Sequence, residues 1–194
     1  MQFAIQPISG ERIDATKNAK ALCPQCSKPV IAKCGAIVIH HWAHQAADCD
    51  SWWERESDWH RAWKSLVPDA QIEVTRGNHR ADIVRSDGLV VELQHSTISP
   101  AEIGEREGFY GRMVWLFDGR SLDDNRLNLR ITGRRATFRW KHPRKHYAYC
   151  KRPVYIDLGD DLILRMRKLY LNGAPYGGWG MLDTRQTFID WLQA

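Results

Sequence analysis

Apolar positions along this chain recur with two periods, and the changes of period predict short strands with a few helices between them. Phe3 and Ile5 alternate with polar neighbours ahead of a Ser9-Gly10 turn, which predicts an opening strand and turn. The runs 30–33 and 36–39, split by Cys34-Gly35, read as a hairpin. Over 50–67 the pattern turns helical: Trp52, Trp59, Trp63 and Leu66 form a stripe, Asp50 or Ser51 can cap it, and Pro68 stops it. Residues 71–76 are a strand. A second hairpin follows, with arms 81–85 and 89–94 around the turn signal Ser86-Asp87-Gly88. Ser99-Pro100 opens a helix that runs to about Tyr110, and 113–117 is a short buried strand.

The order helix, three strands, helix, strand predicts a mixed α/β layer with helices on a sheet. Residues 118–133 are polar and turn-rich. Residues 134–152 hold many Arg, Lys and His with interleaved aromatics and no acid. A strand at 154–158, a basic helix-like piece at 161–170, a Gly-rich turn at 176–180 and a closing helix at 184–193 complete the pattern. No internal repeat or low-complexity tract is present.

The 194 residues suffice for one good core, or for a small module joined to a medium domain. No apolar run approaches the length of a membrane span and nothing resembles a signal peptide, so a soluble, cytoplasmic protein without a membrane partner is expected. The net charge of +5 suits a polyanionic partner. In the 134–152 run, Arg144 and Lys145 are candidate contacts to a nucleic-acid backbone, and the interleaved aromatics are candidate stacking groups. A solvated charged loop explains such a run equally well.

Four of the five Cys lie in one short segment with His40, His41 and His44. That spacing points to metal and away from a disulfide framework. Cys23 and Cys26 make a C-x-x-C pair, and His41 and His44 would share one face of a helical turn. Together they supply the four ligands of a structural Zn²⁺, with Cys49 able to replace either His. So small a segment needs such a staple.

The hairpin at 81–94 carries the second candidate site. Glu92 and Gln94 share one strand face. A two-residue loop sets Asp82 opposite Leu93, whereas a three-residue loop with Gly88 left-handed sets Asp82 opposite Glu92. Opposed like charges destabilise a sheet unless a cation lies between them, and oxygen ligands suit Mg²⁺. A solvated strand face is the bland alternative. Glu56, His60 and Lys64 fall at i, i+4, i+8, either as an exposed ion-paired face or as a row aimed at the hairpin. In the second case Glu56 is an extra carboxylate, and His60 or Lys64 touches phosphate.

The succession CPxC, HHWAH, E-S-x-x-H-x-x-x-K, R-A-D-I, V-E-L-Q-x-S-x-I-S and R-x-x-x-Y over roughly residues 20–117 resembles the competence protein CoiA-like family. The resemblance implies a restriction-endonuclease-like PD-(D/E)XK fold: a mixed sheet flanked by helices, with a small N-terminal zinc-binding hairpin module. The implied division is a zinc module over 1–50, a nuclease core over 51–120 and a basic region over 121–194. Asp82 and Glu92 then take the motif's acidic positions, and Glu56 resembles a helix acid of the wider fold. Ser96, Arg106 and Tyr110 match site-lining positions. Gln94 stands where many relatives carry Lys. Gln can orient water by hydrogen bonding but supplies no charge, which leaves either a second metal ion assisted by Glu56 or a slow enzyme.

The expected function is a Mg²⁺- or Mn²⁺-dependent nuclease acting on single-stranded, branched or duplex DNA by structure and not by sequence. Asp82 and Glu92 would hold the ion, Gln94 would orient water, and Lys64, Arg80 and the basic run would grip the backbone. Its setting would be DNA uptake, recombination or the processing of foreign DNA, with recombination proteins as candidate partners. The rival expectation is a zinc-containing DNA-binding accessory protein that cuts nothing.

Overall fold

Strand β1 (Phe3–Ile5) pairs antiparallel with β2 (Arg12–Asp14) and with β3 (Lys20–Leu22) in the computed structural model. The structure describes residues 1–46, 49–120, 127–141, 144–172 and 176–194. Two compact units divide the chain, Met1–Val84 and Arg85–Ala194.

In the first unit the small sheet continues through β4 (Pro29–Lys33) to β5 (His41–Ala43), both antiparallel. Its core is Met1, Ala4, Ala21, Cys23, Val30 and Trp42. The Trp42 indole N–H donates to the Ile13 carbonyl at 2.9 Å, which satisfies its one buried donor. The expected partner of β4, the run 36–39, is not a strand. The register Ile31↔Ala43 and Lys33↔His41 makes 41–43 the partner, and Ile37 stands almost fully exposed in the long connection. Apolar residues alone did not reveal this, because pairing follows the inward Trp42 and not the more hydrophobic run.

Helix α1 covers Asp58–Lys64 and not 50–67. Its cap is Ser57. The Ser57 hydroxyl accepts from the His60 backbone N–H, and the Ser57 backbone N–H donates to His60 Nδ1 at 3.3 Å. Asp50 cannot serve as the cap because its carboxylate is already engaged with the Trp52 and Arg80 backbone N–H groups and with His79 Nδ1. Strands β6 (Ile72–Arg76) and β7 (His79–Val84) then form an antiparallel hairpin.

In the second unit β8 (Val90–Gln94) and β9 (Met113–Asp118) run parallel, joined by helix α2 (Pro100–Tyr110). Ser99 caps α2 and Pro100 occupies its first turn. β9 is also parallel to β12 (Val154–Gly159). Antiparallel neighbours extend the sheet through β13 (Leu162–Tyr170), β14 (Tyr176–Thr184), β11 (Arg135–Trp140) and β10 (Leu127–Thr132). Helix α3 (Arg185–Gln193) packs Phe188 and Trp191 against Tyr155 of β12. The architecture is mixed α/β, with a large mixed sheet and few helices.

Two C-terminal expectations are corrected. The basic piece 161–170 is strand β13 and not a helix. Ile163 and Leu164 are both buried, which breaks the period of two and imitates a helical pattern. The Gly-rich stretch is not a turn but half of β14. A Cβ on Gly178 would lie 2.3 Å from the Phe138 ring and 2.4 Å from the Lys168 carbonyl oxygen, so glycine is there to let neighbours approach. No helix among the described residues is long and apolar enough to cross a membrane.

Candidate functional site

Lys64, at the end of α1, is buried against three carboxylates of the first unit. Its Nζ lies 3.3 Å from Glu56 Oε1, 3.2 Å from Glu73 Oε1 and 3.1 Å from Asp82 Oδ1. Burial by itself would lower the Lys64 pKa. The attraction of Glu56, Glu73 and Asp82 outweighs it and holds the ammonium above its ordinary value. Glu73 behaves in mirror image: burial favours its neutral form, but Lys64 and other nearby cations keep its pKa well below the usual carboxylate range. Glu73 has φ +49, uncommon for a non-glycine residue. Its carboxylate accepts from the Gln2 N–H at 2.8 Å and the Phe3 N–H at 3.3 Å, so it anchors β1 as well as Lys64. Glu56 precedes the α1 cap and reaches Lys64 from an extended segment, with Arg61 Nε at 3.2 Å. The one-face helical row expected for Glu56, His60 and Lys64 therefore does not exist as such. His60 is also buried. Burial would lower its pKa, but Glu54, with a carboxylate 3.5 Å from Nε2, and Asp82 raise it.

The second unit sets Glu92 and Gln94 on β8, both buried. Arg106 of α2 reaches Glu92 Oε2 at 2.9 Å and Glu102 Oε1 at 2.5 Å. The Gln94 side-chain amide N–H donates to the Ser96 carbonyl at 3.2 Å, which leaves buried Oε1 without a hydrogen bond to any described residue. The turn ahead of β8 is the three-residue form. The Gly88 N–H donates to the Arg85 carbonyl and the Arg85 N–H to the Leu89 carbonyl, both at 2.9 Å, with Gly88 at φ +80.

Cys23, Cys26, His44 and Cys49 converge so that their ligand atoms all lie within 4.8 Å of one another. Cys23 Sγ and Cys49 Sγ are 3.7 Å apart, and Cys26 Sγ is 3.9 Å from His44 Nε2. Tetrahedral zinc with Zn–S bonds of about 2.3 Å requires sulfurs about 3.8 Å apart, so the donor set and its spacing fit zinc. The C-x-x-C turn is shaped by its backbone. The Ser27 N–H donates to the Cys23 carbonyl at 2.9 Å, and the Gln25 N–H points at Cys23 Sγ at 3.4 Å. Burial and the Cys23 and Cys26 sulfurs push the Cys49 thiol up to about 12, whereas zinc deprotonates the thiols it binds. His41 is not in the group. It lies on β5, with Nδ1 2.8 Å from the Ile39 carbonyl, and Cys49 takes its place. The helical turn assumed for the two histidines is a strand end, where i and i+3 point to opposite faces.

Residues 6–51, which contain this cluster, match the family model described as competence protein CoiA, N-terminal domain. Over this segment the chain is similar to that N-terminal domain. No curated protein and no solved structure matches the chain. Residues 52–194, including Glu56, Glu73, Asp82 and Glu92, lie outside the matched CoiA segment.

The remaining expected contacts fall in several environments. The Arg80 N–H donates to Asp50, and its guanidinium lies against the Met1 sulfur at 3.6 Å. Arg144 donates to the His95 and Asp118 carbonyls, each at 3.3 Å. Lys64, His60 and Arg106 are buried and engaged, so they offer no charge to solvent. Ser96 is exposed. The side chain of Lys145 lies outside the described residues. Phe138, Trp140 and Tyr147 of the basic run are core residues and not stacking groups. Glu73 gave no signal in sequence beyond one acid in a strand; only its contacts single it out.

Proposed function

We propose that this CoiA-like protein is a metal-dependent nuclease of the restriction-endonuclease-like class, acting on DNA in uptake, recombination or the processing of foreign DNA. The observation that carries the reading is Gln94: a buried carboxamide, one residue beyond Leu93 from Glu92, whose Oε1 lacks a described partner. A buried acceptor without a partner costs about 1–3 kcal/mol, a cost that a bound water would offset. Asp82 and Glu92 are the acids that would hold Mg²⁺ or Mn²⁺. When bound, the ion supplies a Lewis acid for water and phosphate.

The protein's own residues do the remainder. Lys64 fixes the Asp82 carboxylate and supplies a permanent positive charge beside it, the charge that Gln94 lacks. Arg106 fixes Glu92. Gln94 Oε1 accepts from the attacking water and orients it. Asp82→Asn and Glu92→Gln should abolish metal-dependent cleavage of single-stranded, duplex or branched DNA while circular dichroism stays that of the parent. If both variants cleave like the parent, the assignment is wrong.

A second reading is a zinc-containing DNA-binding accessory protein of recombination without catalysis. It is favoured by the cations already seated on Asp82 and Glu92. DNA binding without products in Mg²⁺ or Mn²⁺ selects it.

A further inference from the structure

The second unit contains a basic sheet face that the proposed catalytic residues do not use. Direct cross-strand pairing puts Arg130 of β10 beside Thr137, and Asn128 beside Arg139, of β11. It puts Thr137 beside Trp179, and Arg135 beside Met181, of β14. It puts Trp179 beside Lys168, and Gly177 beside Tyr170, of β13. Directly paired residues share a face. Arg130, Arg135, Arg139, Lys168 and Tyr170 are all exposed. The intervening residues of β11, Ala136, Phe138 and Trp140, are buried on the other face.

No acid stands among these paired positions. Asp183, farther along β14, is taken by Arg134. Arg130, Arg139 and Lys168 make no ion pair with any described residue. A shallow depression lined by Asn128, Arg130, Thr137, Arg139, Tyr170 and Gly177 lies on this face. A recess of about 410 Å³ lined by Lys151, Arg152, Arg167 and Lys168, with no acidic side chain, shares Lys168 with it. The Arg135 guanidinium sits over the Trp179 ring, 4.9 Å from its centroid, and Tyr170 is 48% exposed.

We propose that the face built by β10, β11, β14 and β13 binds a single strand of nucleic acid, separately from the Asp82 and Glu92 acids. Cations without acids match a polyanion, and four adjacent strands span about 14 Å across it. Tyr170 and the Arg135–Trp179 stack offer π faces, which only unpaired bases can use. The inference deepens the polynucleotide reading above, but its test involves no cleavage.

The test is fluorescence anisotropy of labelled oligo-dT in EDTA, with salt varied between about 50 and 200 mM. Each phosphate contact on a single strand contributes about 0.7 to the log–log salt slope. The triple variant Arg130→Ala, Arg139→Ala, Lys168→Ala should lose about 2 from that slope, and about a hundredfold in affinity at 0.1 M salt. Tyr170→Ala should weaken binding about fivefold to a hundredfold with the slope unchanged, because stacking is not ionic. A triple variant with parental affinity and slope overturns the proposal, as does duplex bound as tightly as oligo-dT with Tyr170→Ala silent. Displacement of oligo-dT by polyglutamate at equal charge also overturns it, and assigns the face to an acidic protein.

Discussion

Replacing Lys64 by Met tests whether the buried charge cluster organises the first unit. Met fills much of the lysine stem's volume, so the change removes charge more than packing. Buried Lys64 touches Glu56, Glu73 and Asp82 at 3.3, 3.2 and 3.1 Å, with Asp82 partly exposed. Removing one partner of a buried ion pair costs about 3–5 kcal/mol, because the other charge stays behind unpaired. Three carboxylates lose a partner here, yet Arg61 still pairs with Glu56 and backbone N–H groups still reach Glu73. The cost therefore stays near that range and not a multiple of it. For a chain of this size it lowers Tm by about 6–20 °C.

The pH dependence follows from the sign of each shift. Glu73 has its folded pKa depressed, so its contribution is present above its unfolded value, about pH 4, and is lost as pH falls through the folded one. Lys64 has its folded pKa raised, so its contribution is present below its unfolded value and is lost only as pH rises through the folded one. The contributions of Lys64 and Glu73 are thus both constant between about pH 5 and 10. In Lys64→Met the Glu73 carboxylate loses the ammonium that holds its pKa down and its pKa rises, so acid relieves the penalty. Thermal unfolding followed by circular dichroism at pH 7 and near pH 4 reads both effects. A Tm drop below about 2 °C at pH 7, or a gap that does not narrow in acid, refutes the reasoning.

Elemental analysis of protein purified without added metal should find zinc, Cys49→Ala should lose it, and His41→Ala should keep it; zinc retained in Cys49→Ala would contradict the ligand set. Glu107 accepts from the Trp115 indole and from the Lys151 and Arg152 backbone N–H groups, so Glu107→Ala should cost about 1–3 kcal/mol in urea unfolding and Glu107→Gln less. Gly178→Ala should destabilise by at least about 1–3 kcal/mol through overpacking. Gly177→Ala, whose Cβ would meet only atoms 3.8–3.9 Å away, should unfold at the parent's midpoint.

Much was legible in the linear chain. The Ser99-capped helix, the buried strand after it and the order of elements from α1 to β9 follow from local signals that tertiary contacts did not override. The C-x-x-C pair was legible because two thiols two residues apart already form half a site. The other half was not. Spacing preferred His41, with Cys49 as a replacement for either His, and the choice depended on 41–43 becoming a strand paired with β4. Part of the basic run misled for a similar reason: Phe138 and Trp140 look like members of a stacking platform, but in β11 the alternation sends them inward.

By itself, then, the order of residues determined which groups were available: thiols and imidazoles in one short segment, acids on strands, cations near the end. Tertiary structure alone decided which of them meet. It placed Glu73, an unremarked acid, beside Lys64, and drew Arg130, Lys168 and Tyr170 from distant segments onto one face. The reason is physical. Spacing along the chain restricts neighbours within a turn of helix or a short strand, whereas contacts across a sheet depend on register, which is set by what the rest of the sheet buries.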